Sequence, residues 1–229
     1  MKLILGRRVR SALRGFKVPE TFESAAYDDA AGRERLTALA ARKAPLRLHL
    51  GCGPRLIAGW VNIDLAYQPS ADPPRGEGEG APGTAEDFYA IDVTRGLPLP
   101  DGCVEAVFHE DFLEHLSQRD AVAFLAEARR VLLPGAVHRV NSPDLAASMR
   151  EYSDFARGLE GTYRDEWDRW HHVNVFTPRY LEEIALMVGY SRVDFNRRDG
   201  SVSELMPREL RPAPDSRRED GNLFADLVK

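Results

Sequence analysis

Short apolar segments alternate with helix-like segments from residue 30 to the end of the chain, and no other feature constrains the fold as strongly. The apolar segments predict seven β-strands, at residues 46–50, 61–65, 88–91, 104–108, 137–140, 192–195 and 223–228. Helices are predicted at residues 30–43 and 144–159, after the N-cap Ser117 as far as Pro134-Gly135, and from Thr177-Pro178 to Gly189. Strands that alternate with helices pair in parallel, so the pattern predicts an α/β fold with a mostly parallel sheet.

Charge and composition exclude several classes of protein. The 229 residues carry a formal net charge of -5, which argues against a nucleic-acid partner. No apolar run reaches the length of about 18 residues that an integral membrane segment needs. Cys52 and Cys103 are too few for a disulfide scaffold. We therefore expect a cytoplasmic location and no nucleic-acid partner, with the oligomeric state left open.

The first 17 residues are basic, with six Lys or Arg and no acid, and their apolar residues share one helical face. Such a segment fits peripheral contact with an anionic membrane or a phosphate-bearing substrate, an organellar transit segment, or a helix that packs on the domain. We expect residues 1–45 to form a helical extension and residues 46–229 one domain. Residues 67–87 are predicted to be a flexible loop, because four prolines and four glycines lie between residues 69 and 83.

Polar and glycine residues at three successive strand ends outline a candidate site. Gly51 and Gly53 follow the first strand, where glycine lets the backbone turn sharply and approach a ligand. Asp64 ends the second strand, where a carboxylate can accept from both ribose hydroxyls, and Asp92 ends the third, where it can accept from an exocyclic amine. A dinucleotide fingerprint would need a further glycine at Leu56, which disfavours a dehydrogenase. The pattern indicates a nucleoside site without a pyrophosphate.

These segments resemble the class I S-adenosylmethionine-dependent methyltransferases, in the glycine-tryptophan subgroup that is similar to methyltransferase type 11 proteins. The resemblance rests on residues 48–53 (LHLGCG), 59–64 (GWVNID), 92–101, 112–116 (FLEHL) and 131–135 (VLLPG). It implies a Rossmann-like, seven-stranded, mostly parallel sheet with an antiparallel last strand and helices on both faces. It also implies S-adenosylmethionine as cofactor.

The resemblance implies a role for each matching position. Gly51, Cys52 and Gly53 would pass close to the methionine part of the cofactor. Asp64 would hold the ribose and Asp92 the adenine amine, with the Val93 amide near the ring. His109 and Glu110 would follow the fourth strand, where the sulfonium methyl faces the substrate.

Three histidines are candidates for a general base. His109 is nearest the expected methyl position, His115 lies in a segment that resembles the family, and His171 follows the aromatic group that contains Trp167 and Trp170. Each could instead satisfy a hydrogen bond or pack against a cleft wall. No metal site is predicted, since a zinc helix that starts at His109-Glu110 would need its second histidine at Leu113.

The sequence thus predicts an enzyme, an S-adenosylmethionine-dependent methyltransferase that acts on a small molecule or sugar, at oxygen or nitrogen. The alternative is a non-catalytic methyltransferase-like binding or scaffolding module.

Overall fold

The computed structural model describes residues 30–65, 87–148, 171–210 and 221–229. The basic segment 1–17, nearly all of the predicted loop 67–87, most of the helix predicted at 144–159 and the tryptophans 167 and 170 lie outside these residues. No helix within the described ranges has the length and apolar character needed to cross a membrane.

Four α-helices and seven β-strands make up the described chain. In chain order they are α1 (Ala30–Arg42), β1 (Leu46–Leu50), β2 (Val61–Asp64), β3 (Phe88–Ala90), β4 (Val104–Glu110), α2 (Gln118–Val131), β5 (Leu132–Pro143), α3 (Leu145–Ser148), α4 (Pro178–Met187), β6 (Arg192–Phe195) and β7 (Asn222–Val228). Two 3₁₀ turns, Val93–Arg95 and Leu113–His115, follow β3 and β4.

The seven strands form one sheet in the order β3-β2-β1-β4-β5-β7-β6. Strands β1 to β5 pair in parallel, whereas β7 pairs antiparallel with both β5 and β6. Strand order reverses beside β1, so the ligand position of an open α/β sheet lies beyond the carboxyl ends of β1 and β4. The predicted α/β fold with an antiparallel last strand is confirmed.

Two predicted boundaries are wrong, and both errors concern β4 and β5. The fourth strand continues past residue 108, because His109 pairs with Val140 and Glu110 with Asn141. The helix after Ser117 ends at Val131 rather than at Pro134, because Leu132 is already extended and pairs with Val104. The predicted strand at 137–140 is therefore the middle of a longer strand.

Alternate residues of β4 face opposite sides of the sheet. Val107 lies in the main core, to which α1, α2 and α4 contribute apolar residues such as Leu36, Phe124 and Leu181. Phe108 instead packs with Trp60 in a smaller cluster, which Met206 and Leu210 cover from the segment after β6. The division of the chain at residue 45 stays a prediction, although α1 contributes directly to the main core.

Candidate functional site

The loop after β1 turns sharply at its two glycines. Gly51 and Gly53 have φ angles of +60° and +50°, a region that favours glycine. A β-carbon on Gly51 would lie 2.5 Å from Cδ2 of Phe112, whereas a β-carbon on Gly53 would meet nothing within 4 Å. The first glycine is therefore required by packing, and the second has open space beside it.

Cys52 contributes to this loop through its backbone. Its amide donates to the carbonyl of Ile63 at 3.2 Å, and its carbonyl accepts from the amide of Arg55 at 3.0 Å. The side chain is buried, and burial raises the pKa of the Cys52 thiol well above its ordinary value. The thiol stays protonated at neutral pH and is a poor nucleophile.

Asp64 joins the loop to the end of β2. The Gly53 amide donates to Oδ2 of Asp64 at 2.9 Å. Parallel pairing of Leu50 with Ile63 brings the two strand ends together. Two of the predicted cofactor residues are therefore in direct contact.

Asp92 lies beyond the end of β3 and caps the 3₁₀ turn that follows. Its Oδ1 accepts from the amide of Thr94 at 3.0 Å and from its hydroxyl at 2.6 Å. Its backbone carbonyl accepts from the Arg33 guanidinium on α1, also at 3.0 Å. Its Oδ2 has no hydrogen-bond partner within the described ranges. Val93, the next residue, is buried.

His49 lies in the interior beneath the site. Its Nδ1 lies 3.0 Å from Oδ1 of Asn62, which also accepts from the Ile57 amide. Burial lowers the pKa of His49 to about 4, so the ring is neutral and donates this hydrogen bond. The pair holds the glycine-tryptophan turn in place, because Nδ2 of Asn62 donates to the carbonyl of Trp60.

His109 and Glu110 are adjacent strand residues and face opposite sides of the sheet. The His109 ring is fully buried between Phe124 and His138, and within the described part of the chain neither ring nitrogen has a hydrogen-bond partner. Burial holds the pKa of His109 well below its usual range. The ring of His109 is therefore shut off from solvent.

Glu110 faces the side that carries Trp60 and is also buried. Its Oε1 accepts from Nδ2 of Asn141 at 3.1 Å, and its Oε2 accepts from the amide of Leu210 at 2.8 Å. Burial raises the pKa of Glu110 to about 7 from an ordinary 4.5. This side chain fastens the segment after β6 to the carboxyl end of β4.

The other two predicted histidines, His115 and His171, are exposed, and His172, which is outside the predicted site set, packs beside His115. His115 follows β4, and its ring lies 4.9 Å from that of His172, edge to face. His172 is buried beside Glu114, whereas His171 is exposed with a φ of +56°. The sequence predicted His171 as a site residue but not Glu114. No local pattern predicts that Glu114 lies beside His172, because the segments that contain them meet only in the folded chain.

The strand order agrees with the Rossmann-like methyltransferase fold that the sequence resemblance implies, and the glycine loop and the two carboxylates lie at the carboxyl edge of its sheet. Residues 48–140 match the family model Methyltransf_11, described as a methyltransferase domain. The matched stretch contains most of the motifs on which the sequence resemblance rests, and the model describes a methyltransferase, as the resemblance predicted. The predictions of an enzyme and of S-adenosylmethionine as cofactor agree with this match.

Solved structures share the fold at low sequence identity. A methyltransferase of Archaeoglobus fulgidus has a TM-score of 0.50 at 17% identity, with 86% of this chain and 94% of that chain covered. A methyltransferase of Thermotoga maritima, titled a possible histamine N-methyltransferase, has the same TM-score at 14% identity, with coverages of 86% and 88%. Both are described as dependent on S-adenosylmethionine.

One curated relative is more similar in sequence. An uncharacterized 37.1 kDa protein in transposon TN4556 of Streptomyces fradiae is 34% identical over 167 residues. The match covers 68% of this chain and 46% of the relative. The chain thus spans less than half of that relative's length.

Proposed function

We propose that this protein transfers a methyl group from S-adenosylmethionine to an oxygen or nitrogen of a small molecule or sugar. The observation that carries the proposal is the position of the Gly51-Gly53 loop, Asp64 and Asp92 at the carboxyl ends of three adjacent parallel strands. This edge of an open α/β sheet is where such folds bind their ligands.

The residues at this edge fit the cofactor. Gly53 has open space where a side chain would lie, so the methionine part can approach the backbone there. Asp64 would accept from the ribose hydroxyls, Oδ2 of Asp92 from the adenine amine, and the Val93 amide would donate to the ring. The bound cofactor supplies an electrophilic methyl group on a sulfonium, which is a good leaving group. The protein's own contribution is to align the acceptor and exclude water.

A base beside the acceptor would come from the exposed histidines. His115 is exposed at the carboxyl end of β4, next to His172 and Glu114. The neutral imidazole of an exposed histidine can accept the proton of a hydroxyl or amine as it is methylated. We assign this role to His171, with His115 as a neighbour of the acceptor, because both are exposed. The buried ring of His109 has no access to a proton on the acceptor, so we give it a packing role.

The charge of the chain bears on its partners and its location. A net charge of -5 favours a small or carbohydrate acceptor over a nucleic acid. A cytoplasmic location and peripheral contact through residues 1–17 both remain part of the proposal.

Isothermal titration with S-adenosylhomocysteine tests the cofactor site directly. We expect one equivalent to bind in the micromolar range. Absence of binding at millimolar ligand would contradict the proposal. A screen with labelled donor over sugars, phenols and amines then tests transfer, with His171→Ala as the variant expected to lose it. Cofactor binding without transfer to any acceptor would favour the non-catalytic alternative.

A further inference from the structure

Three side chains with metal-binding atoms converge at the carboxyl end of the sheet. Glu114, His115 and His172 each offer one ligand atom, and these atoms all lie within 4.8 Å of one another. The sequence argument considered histidines on a single helix and therefore could not detect this group. Its third member is supplied by a segment that is distant in the chain.

The backbone holds the two segments together. The amides of Val173 and Asn174 both donate to the carbonyl of Glu114 at 3.0 Å. The same segment is held again at Phe176, whose carbonyl accepts from the backbone amide of Leu145 at 2.8 Å. The approach of His172 to Glu114 is therefore set by main-chain hydrogen bonds rather than by the position of two mobile side chains.

One oxygen of the Glu114 carboxylate is oriented by a neighbour and the other faces His172. Ser142 donates its hydroxyl to Oε2 at 2.9 Å, and both side chains are buried. Oε1 lies 3.9 Å from Nε2 of His172, which is too long for a hydrogen bond. In a tetrahedral zinc site with ligand bonds of about 2.0–2.1 Å, ligand atoms lie about 3.3 Å apart. Small side-chain rotations would bring these atoms to that spacing.

We propose that Glu114, His115 and His172 bind one divalent transition-metal ion of the Zn²⁺ type. Two imidazoles and one carboxylate are ligands that such ions prefer. Three protein ligands leave a coordination position for water or another oxygen ligand. That position would open toward the small pocket that Glu114 and His172 line together with Pro143, Leu145, Asn174 and Val175. Ser142 acts as the outer partner that orients the carboxylate.

Metal titration of the full chain tests the site. The protein is dialysed against EDTA, freed of chelator and titrated with Zn²⁺ by calorimetry and with Co²⁺ by visible absorption. We expect one equivalent of either ion to bind, with a tetrahedral Co²⁺ spectrum. Binding of less than one equivalent, or none at micromolar metal, would overturn the proposal and leave Glu114 and His172 as a structural pair.

Variants locate the ligands. His115→Ala and His172→Gln should each weaken binding by more than about 100-fold, and Ser142→Ala by about 10–100-fold, the usual effect of an outer partner. His171→Ala is the matched control: it removes an adjacent exposed histidine and should leave the metal affinity unchanged. His172 is buried and its variant could unfold. His115 is exposed, so His115→Ala is the variant that decides whether these side chains bind the ion. Unchanged metal affinity in that variant would overturn the site.

The inference goes beyond the proposed methyl transfer and can fail separately from it. Metal titrations are made without S-adenosylhomocysteine, and S-adenosylhomocysteine titrations are made in EDTA. Loss of one kind of binding does not predict loss of the other.

Discussion

The backbone amide of Gly53 and the Oδ2 atom of Asp64 are joined by a 2.9 Å hydrogen bond between the loop after β1 and the end of β2. The carboxylate that we propose as the ribose ligand therefore also orders the glycine loop. Both functions depend on the side chain of Asp64, and substitutions there should affect the two together.

Asp64→Ala should weaken the affinity for S-adenosylhomocysteine by about 1–3 kcal/mol, because the Gly53 amide and the ribose hydroxyls would lose an acceptor. Asp64→Asn should have a smaller effect, since its amide oxygen can still accept from Gly53. Calorimetric titration measures both. The control is Asp101→Asn, at an exposed carboxylate that pairs with Arg130 away from the site. Equal affinity in Asp64→Ala and the control would remove Asp64 from the cofactor site.

The two loop glycines should differ in their effect on stability. Gly51→Ala and Gly53→Ala both place a β-carbon at a positive φ, which costs about 1–2 kcal/mol. Gly51→Ala adds a clash with Phe112, and overpacking of this kind costs a further 1–3 kcal/mol or so. Urea unfolding of both variants gives the comparison. Equal free energies of unfolding would mean that the Phe112 ring moves aside without cost.

Glu110 should make the protein less stable as the pH rises. Its pKa is raised by burial, so the contribution of this group is fully present below about pH 4.5 and is lost as the pH rises through about 7. The shift from 4.5 to about 7 corresponds to about 3 kcal/mol. Between pH 5 and pH 8 the free energy of unfolding should therefore fall further in the wild type than in Glu110→Gln.

The glutamine variant isolates this group from its charged neighbours. Asp111, Glu209 and Arg55 also act on Glu110, but they are present in both proteins. Parallel pH profiles for the two proteins would show that the carboxyl group ionises without penalty.

A buried ion-pair network should dominate the stability of the face that carries Trp60. The guanidinium of Arg139 donates to Oε1 of Glu209 at 2.6 Å and lies 3.3 Å from Oδ1 of Asp226, with all three side chains almost wholly buried. Arg139→Met leaves two buried carboxylates without their cation and should cost about 3–5 kcal/mol.

A second arginine provides the matched control for that measurement. Arg47 pairs with Glu105 at 2.6 Å, but both side chains are partly exposed. Arg47→Met should therefore cost no more than about 1 kcal/mol. Chemical denaturation of the two variants tests the contrast, and similar losses would contradict the predicted importance of burial.

The order of strands and helices follows from local patterns that the chain carries in any context. Alternating apolar segments and the caps Ser117 and Thr177 predict elements whose bounds mostly agree with the structure within one or two residues. The glycine loop and the strand-end acids are equally local, because each follows directly after an apolar strand. For this reason the sequence alone predicts the fold, the resemblance to methyltransferases and the positions of Asp64 and Asp92 at strand ends.

The surroundings of each side chain depend on which segments pack together. His109 and Glu110 are neighbours in sequence, yet α2 buries the first and the segment near Leu210 covers the second. Glu114 meets His172 only because main-chain hydrogen bonds join two distant segments. Burial and charge pairing are long-range properties, so the amino-acid pattern alone predicts where the cofactor loop lies but not which histidine is exposed beside it.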